Sequence, residues 1–215
     1  MARELRYTLL GVWIPGFVLV ATAVIVSVTS DVNARQLFQD ANTVAGVPFY
    51  IGSLSMLGVI LWAMTAAICL FVALRPAEGD PDLRRLLLVS GIFTLVLMAD
   101  DAFLFHDDIL PRYAGISGDL YGVAYVVAMA VYLLALRRVL ARTNYLLLGV
   151  ALVLFGISAV TDVGSSRLHE FVPAAIVEIV EDGTKLVGIG TWLAYFVSVG
   201  RAALVPDRRV SSGQA

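Results

Sequence analysis

Residues 54 to 74 read Leu54-Ser-Met-Leu-Gly-Val-Ile-Leu-Trp-Ala-Met-Thr-Ala-Ala-Ile-Cys-Leu-Phe-Val-Ala-Leu74, without a charged side chain. An apolar α-helix crosses about 30 Å of hydrocarbon with about 20 residues. Five other segments have the same character, so the predicted spans cover roughly 7–29, 48–74, 85–106, 119–140, 143–163 and 174–200. The sequence therefore predicts an all-α, polytopic membrane protein, a bundle of six transmembrane helices in contact with the lipid bilayer.

Composition supports this class and excludes others. Of 215 residues, 60% are hydrophobic and 15% charged, which is too apolar for an ordinary soluble domain. The net charge of −2 leaves no basic surplus for nucleic acid phosphates, so nucleic acid binding is excluded. Cys69 is the single cysteine, so neither an internal disulfide nor a cysteine-rich zinc site can form. We expect one transmembrane domain over residues 1–209 and a disordered tail over 210–215.

Basic residues predict the orientation, because Lys and Arg are retained on the cytoplasmic side of a membrane. Eleven of the fifteen lie in four alternate segments: Arg3 and Arg6; Arg75, Arg84 and Arg85; Arg137, Arg138 and Arg142; Arg201, Arg208 and Arg209. We therefore expect both termini to be cytoplasmic in a multi-pass protein of the cell membrane. Three prolines mark helix geometry: Pro15 is expected to kink the first helix, and Pro48 and Pro173 to begin the second and sixth.

Acidic residues concentrate at the opposite, extracytoplasmic side. Helix three ends with two pairs of aspartates, and a regular helix would place Asp100 and Asp107 on one face, flanked by Asp101 and Asp108. Helix six carries one polar stripe of four side chains, Glu178, Glu181, Asp182 and Lys185. Lys185 is predicted near the bilayer midplane. Its expected partner is Glu181 or Asp182 in its own helix, or Asp100 or Asp101 from helix three.

Helices four and five are expected to complete an outward-facing pocket. Helix five offers Ser158, Thr161, Asp162 and Ser165, and the following loop holds Arg167, His169 and Glu170. Helix four offers Tyr121, Tyr125 and Tyr132 on one arc. The predicted substrate-lining residues are Tyr121, Tyr125 and Ser158.

Ionisable side chains within a bilayer are costly and predict function. The predicted catalytic set is Asp100, Asp101, Asp162, Glu181, Asp182 and Lys185. Carboxylates with imidazoles suit a divalent metal ion such as Zn, Mn, Fe or Ca. The predicted metal ligands are Asp100, Asp101, His106, Asp107, Asp162, His169, Glu178 and Glu181. The alternative is a structural salt-bridge network, with Lys185 paired to two acids and Asp162 paired to Arg167.

Three short resemblances point to known membrane families. Gly115-Ile-Ser-Gly118 resembles the GxSG motif of rhomboid serine proteases, although Lys185 lies where that family places a histidine. Glu181-Asp-Gly-Thr-Lys185 is similar to the E-E-x-x-K signature of glutamate-type intramembrane proteases, without that family's other Glu and His motifs. The chain also resembles retinal-binding rhodopsins in having a lysine in its last span, although those proteins have seven spans. These few residues identify no family.

Function is predicted from the one-sided distribution of charge. The inner halves of helices three to six offer only uncharged polar side chains, which favours a pocket open to one side. Our first expectation is a metal-assisted hydrolase or transferase acting on a lipid or lipid-linked substrate. The alternatives are a proton- or cation-coupled transporter or channel, and a non-catalytic sensor or accessory subunit. Small residues around Gly52 and Ser55 are also compatible with a homo-oligomer.

Overall fold

The computed structural model describes residue 6 and residues 9–75, 80–115 and 118–204, except the side chains of His106, Asp107, Asp119 and Ser166. Contacts divide the chain into two units, Met1–Ser53 and Leu54–Ala215. The single domain over residues 1–209 stays a prediction. The predicted tail, 210–215, lies outside the described residues.

The first unit contains one long helix and two short ones. A π-helical turn, Leu9–Trp13, leads into α1 (Ile14–Thr29), and Pro15 lies in the first turn of α1, where its missing N–H costs little. The short helices are α2 (Ala34–Phe38) and α3 (Ala41–Ala45). Asp40 caps α3 by accepting hydrogen bonds from the hydroxyl and the backbone N–H of Thr43, at 2.6 and 2.7 Å. These bonds hold the pKa of the Asp40 carboxyl below its usual range, and the bond from the hydroxyl has the larger effect.

The second unit contains five long helices joined by short connections. Between α5 and α6 the chain forms a π-helix over Phe105–Ala114. The long helices are α4 (Ser53–Ala73), α5 (Pro81–Phe103), α6 (Gly118–Leu140), α7 (Tyr145–Leu168) and α8 (Ala174–Leu204). Together with the segment Leu9–Thr29, they make six helices that are long and apolar enough to span a membrane within the described part of the chain. The six predicted spans are confirmed as helices.

Two helices begin at residues other than those predicted, because turns and capping side chains determine where they start. Pro48 does not begin α4, since residues 49–52 form turns and Gly52 has a positive φ of 71°. α5 starts at Pro81 rather than at residue 85, because the Asp80 side chain accepts a hydrogen bond from the Asp82 N–H. The expected start at Pro173 is confirmed within one residue.

The end of α5 differs from the end predicted for helix three. α5 stops at Phe103, because Leu104 adopts the left-handed conformation with a φ of 53°, and the π-helix follows. The expectation of a regular helix through Asp107 is therefore wrong, and the position of the Asp107 side chain lies outside the described residues.

The core of the second unit is an aromatic cluster centred on Trp192. This fully buried ring lies 5.0 to 6.4 Å, centroid to centroid, from four others: Trp62, Tyr132, Phe155 and Phe196. Tyr132 is buried there and stacks on Phe93 at 5.0 Å, so it does not join the two tyrosines with which the sequence grouped it.

Hydrogen bonds between uncharged side chains cross this core. Ser90 pairs with Tyr132 at 2.7 Å, Trp192 donates to Thr94 at 3.2 Å, and Thr143 pairs with Tyr195 at 2.8 Å. Ser90, Thr94 and Thr143, three polar residues of the predicted inner halves, thus bond to neighbouring helices, as burial in an apolar medium demands.

Two ends of the second unit differ in charge. At the basic end, Arg142 lies 3.7 Å from Asp80 and 3.5 Å from Asp82, and Arg84 donates to the Ala73 carbonyl at 2.8 Å. The two Arg-rich connections therefore meet at one end. The opposite end, where α5 and α7 finish and α8 begins, is here called the acidic end.

Candidate functional site

An ion pair joins α5 to α8 near the acidic end. The Nζ atom of Lys185 lies 2.6 Å from Oδ1 of Asp101, and the indole N–H of Trp62 donates to Oδ2 of Asp101 at 2.9 Å. The Asp101 side chain is 12% exposed and that of Lys185 is 38% exposed. Both carboxylate oxygens of Asp101 are engaged, one by a cation and one by a neutral donor. Asp101, one of the four acids expected as partners for Lys185, thus forms an ion pair with it.

Helical spacing explains why these residues meet. Thr94 and Asp101 are seven residues apart on α5, and Lys185 and Trp192 are seven apart on α8, so each pair lies on one helix face. Trp192 donates to Thr94, and Lys185 contacts Asp101. α5 and α8 are therefore joined by two contacts along one interface. The uncharged contact lies farther from the acidic end than the charged one.

Asp100 lies about 100° around α5 from Asp101, so the two carboxyls have different neighbours. Asp100 is 7% exposed and shares a hydrogen bond with the phenol of Tyr125 on α6. The Tyr121 ring lies 5.8 Å from that of Tyr125. The consecutive aspartates thus connect α5 to α8 through one carboxyl and to α6 through the other.

A cavity of about 280 Å³ opens beside the ion pair. Its charged lining consists of Asp101 on α5 and of Glu178, Asp182 and Lys185, which follow one another at one-turn spacing on α8. Three members of the predicted helix-six stripe therefore face one cavity. Glu181 is half-buried and is not part of the described lining.

Asp101 lies nearer to the end of its helix than the sequence indicated, whereas Lys185 lies about 17 Å beyond the start of α8, as expected. Asp101 precedes the end of α5 by two residues, and α8 extends over 31 residues. At 1.5 Å per residue, Asp101 and Lys185 each lie about 30 Å from the opposite end of their helix. That distance is about the thickness of the hydrocarbon layer of a bilayer.

The predicted contribution of α7 to this site is not seen among the described contacts. Asp162 is exposed and His169 is exposed just beyond the end of α7, and neither belongs to the described lining of the cavity. Ser158 and Thr161 are buried, and Thr161 donates to the Ile157 carbonyl of its own helix at 2.9 Å. The proposed convergence of α7 on the cavity has no support here.

The metal prediction is untested. The side chains of His106 and Asp107 lie outside the described residues, so two of the eight predicted ligands have no described position. Among the residues that are described, no group of three or more His, Cys, Asp or Glu side chains is arranged to hold a metal ion. A divalent metal at this site stays a prediction.

Trp62 is a residue of the candidate site that the sequence analysis missed. It is 4% exposed, stacks on Phe155 at 5.7 Å and donates its one hydrogen bond to Asp101. The available signal was an indole N–H in the middle of an uncharged span, which must find an acceptor on another helix.

Comparisons with known proteins identify a family but no function. No curated protein and no solved structure matches the chain. The family described as "Domain of unknown function (DUF8692)" matches residues 11–199. Since this match covers most of the 215 residues, the chain belongs to the DUF8692 family.

Proposed function

We propose that this is a multi-pass protein of the cell membrane with both termini in the cytoplasm, and that its cavity binds a cation from the extracytoplasmic side as part of a proton- or cation-coupled carrier. Support for the orientation comes from the arginines that meet at the basic end, since basic connections stay inside. The cavity then lies at the outer end.

The observation that carries the cation proposal is the charge of the cavity lining. Three carboxylates and one ammonium line it, which gives a net charge of −2 when all are ionised. Lys185 already neutralises Asp101, so the uncompensated charge belongs to Glu178 and Asp182. Like charges at one-turn spacing repel each other, and a bound cation or proton relieves that repulsion.

The same geometry favours a carrier over the metal-assisted hydrolase expected first. Lys185 already neutralises the charge of Asp101, and among the described residues no group of three or more His, Cys, Asp or Glu side chains is arranged to hold a metal ion. An intramembrane Lys–Asp pair beside a cavity is instead typical of proton and ion pathways.

Cation binding is tested on the purified protein in nanodiscs of neutral lipid. Thermal unfolding is followed in Na⁺, Ca²⁺, Zn²⁺, methylammonium and octylammonium chlorides, with ionic strength held constant by choline chloride. We expect at least one of these cations to raise the melting temperature saturably. Asp182→Asn should abolish the rise, and Asp162→Asn should retain it, because Asp162 is exposed like Asp182 but lies outside the described lining.

Two results would overturn cation binding: a melting temperature that no cation in the series changes, or an equal rise in Asp182→Asn. Coupling is then measured in liposomes that contain a pH-sensitive dye, under a gradient of the cation that binds. We expect that gradient to drive a change of internal pH. Binding without any such change would replace the carrier by a cation sensor.

A further inference from the structure

We infer that the ligand of this cavity is a primary alkylammonium ion, a molecule with an –NH₃⁺ head and a hydrocarbon chain, rather than a bare inorganic cation. The inference rests on the proposed cation site and names its ligand class. It follows from three properties of the lining: its volume, its apolar wall and the kind of donor that its carboxylates can accept.

Volume excludes a single dehydrated ion as the complete occupant. The cavity measures about 280 Å³, whereas one water molecule takes about 30 Å³ of liquid volume. It approaches the lower limit of sites that enclose small organic ligands, about 300 Å³. A small organic group fits this volume, whereas a bare ion leaves most of it to water.

The wall beside the carboxylates is aliphatic. Leu54 on α4 and Ile179, Leu186 and Ile189 on α8 line the cavity together with the acids. Ile179 and Ile189 are ten residues apart, or about 15 Å along the helix axis. Leu54 and Ile179 are largely exposed, at 66% and 70%, so the apolar side of the cavity is open to the surroundings of the protein. A hydrocarbon chain can lie against this wall while its head reaches the acids.

The polar side selects a head group with N–H donors. Glu178 and Asp182 can each accept hydrogen bonds from a primary ammonium, as Asp101 accepts one from the Lys185 ammonium at 2.6 Å. Quaternary ammonium ions have no N–H and are bound by aromatic cages. The described lining contains no Phe, Tyr or Trp, which disfavours a quaternary head. A negatively charged or zwitterionic head would meet a lining of net charge −2.

The test compares four probes on the wild-type protein in neutral nanodiscs: octylammonium, methylammonium, octyltrimethylammonium and octanol. Octylammonium should raise the melting temperature saturably. Methylammonium, which lacks the chain, octyltrimethylammonium, which lacks N–H donors, and octanol, which lacks the charge, should each need at least tenfold higher concentration. Octanol and the quaternary ion also report any general effect of an alkyl chain on the bilayer.

Two variants locate the effect. Asp182→Asn should weaken octylammonium at least tenfold, and Asp162→Asn should leave it unchanged. Ile179→Trp, which fills the apolar side without altering a charge, should weaken octylammonium more than methylammonium. If methylammonium or Ca²⁺ bound as well as octylammonium and remained sensitive to Asp182→Asn, the alkylammonium inference would be wrong while the cation site stood. If no cation bound, both would fall.

Discussion

The acidic and basic ends of the second unit each carry an ion pair between helices, and the two pairs differ in burial and distance. Lys185 and Asp101 are 2.6 Å apart, with Asp101 only 12% exposed. Arg142 lies 3.7 Å from Asp80 and 3.5 Å from Asp82, with side chains 47% to 61% exposed. Exposed pairs contribute about 0 to 1 kcal/mol, whereas loss of one partner from a buried pair leaves a costly unpaired charge. An ion pair is therefore expected to contribute more to folding stability at the acidic end than at the basic end.

The first prediction concerns removal of Lys185. Breaking a fully buried pair costs about 3 to 5 kcal/mol, and since Lys185 is 38% exposed we expect Lys185→Met to lower the free energy of unfolding by about 2 to 3 kcal/mol. Asp101→Asn in the same chain should restore most of that loss, because the amide oxygen can still accept from Trp62. Thermal unfolding of the two single variants and the double variant in detergent measures the coupling.

An additive result in that cycle would mean that the pair does not form as described. A full loss of the folded protein in Lys185→Met, with recovery in the double variant, would strengthen the contrast between the two ends.

The second prediction tests whether side-chain packing near the acidic end contributes as much to folding stability as the ion pair does. A Cβ at Gly188 would lie 2.8 Å from Cε1 of Phe155, which stacks on Trp62. Gly188→Ala should therefore destabilise the protein by about 2 kcal/mol through overpacking. Gly190→Ala is the matched control, since nothing lies within 4 Å of its Cβ, and it should be neutral or stabilising. Equal melting temperatures of the two variants would contradict the close approach of α7 and α8.

The third prediction isolates the neutral donor of Asp101. Trp62→Phe keeps an aromatic ring against Phe155 and removes the N–H, so we expect a loss of about 1.5 kcal/mol, typical of a hydrogen bond to a charged group. In an Asp101→Asn background the loss should be smaller, because the acceptor is then neutral. A loss of the same size in both backgrounds would assign it to packing alone.

The sequence predicted the helices of the acidic end better than the contacts between them. Long uncharged segments identified the spans, and periodicity placed Glu178, Asp182 and Lys185 on one face, as the cavity shows. Periodicity could not choose among the expected acidic partners of Lys185. That choice depends on the height of α5 relative to α8, which the periodicity of either helix does not contain.

The failures have identifiable physical causes. A leucine with positive φ has no signature in its side chain, so the break at Leu104 and the loss of the regular helix beyond it could not be anticipated. Tyr132 shared a predicted arc with Tyr121 and Tyr125 but pairs with Ser90 in the core. Angular position alone does not tell how far along the helix a side chain meets its neighbour.

The fourth prediction has the smallest expected effect and tests the basic end. Arg142→Gln removes a charge that is 61% exposed and lies at least 3.5 Å from either carboxylate, so we expect less than about 0.5 kcal/mol of destabilisation. Salt should erase even this difference, because mobile ions screen exposed charges. The measurement is the melting temperature of wild type and Arg142→Gln at low and high NaCl, with Lys185→Met beside them. A loss for Arg142→Gln as large as that for Lys185→Met, unchanged by salt, would mean that this arginine is as buried in the membrane-inserted protein as Lys185. The contrast between the two ends would then fail.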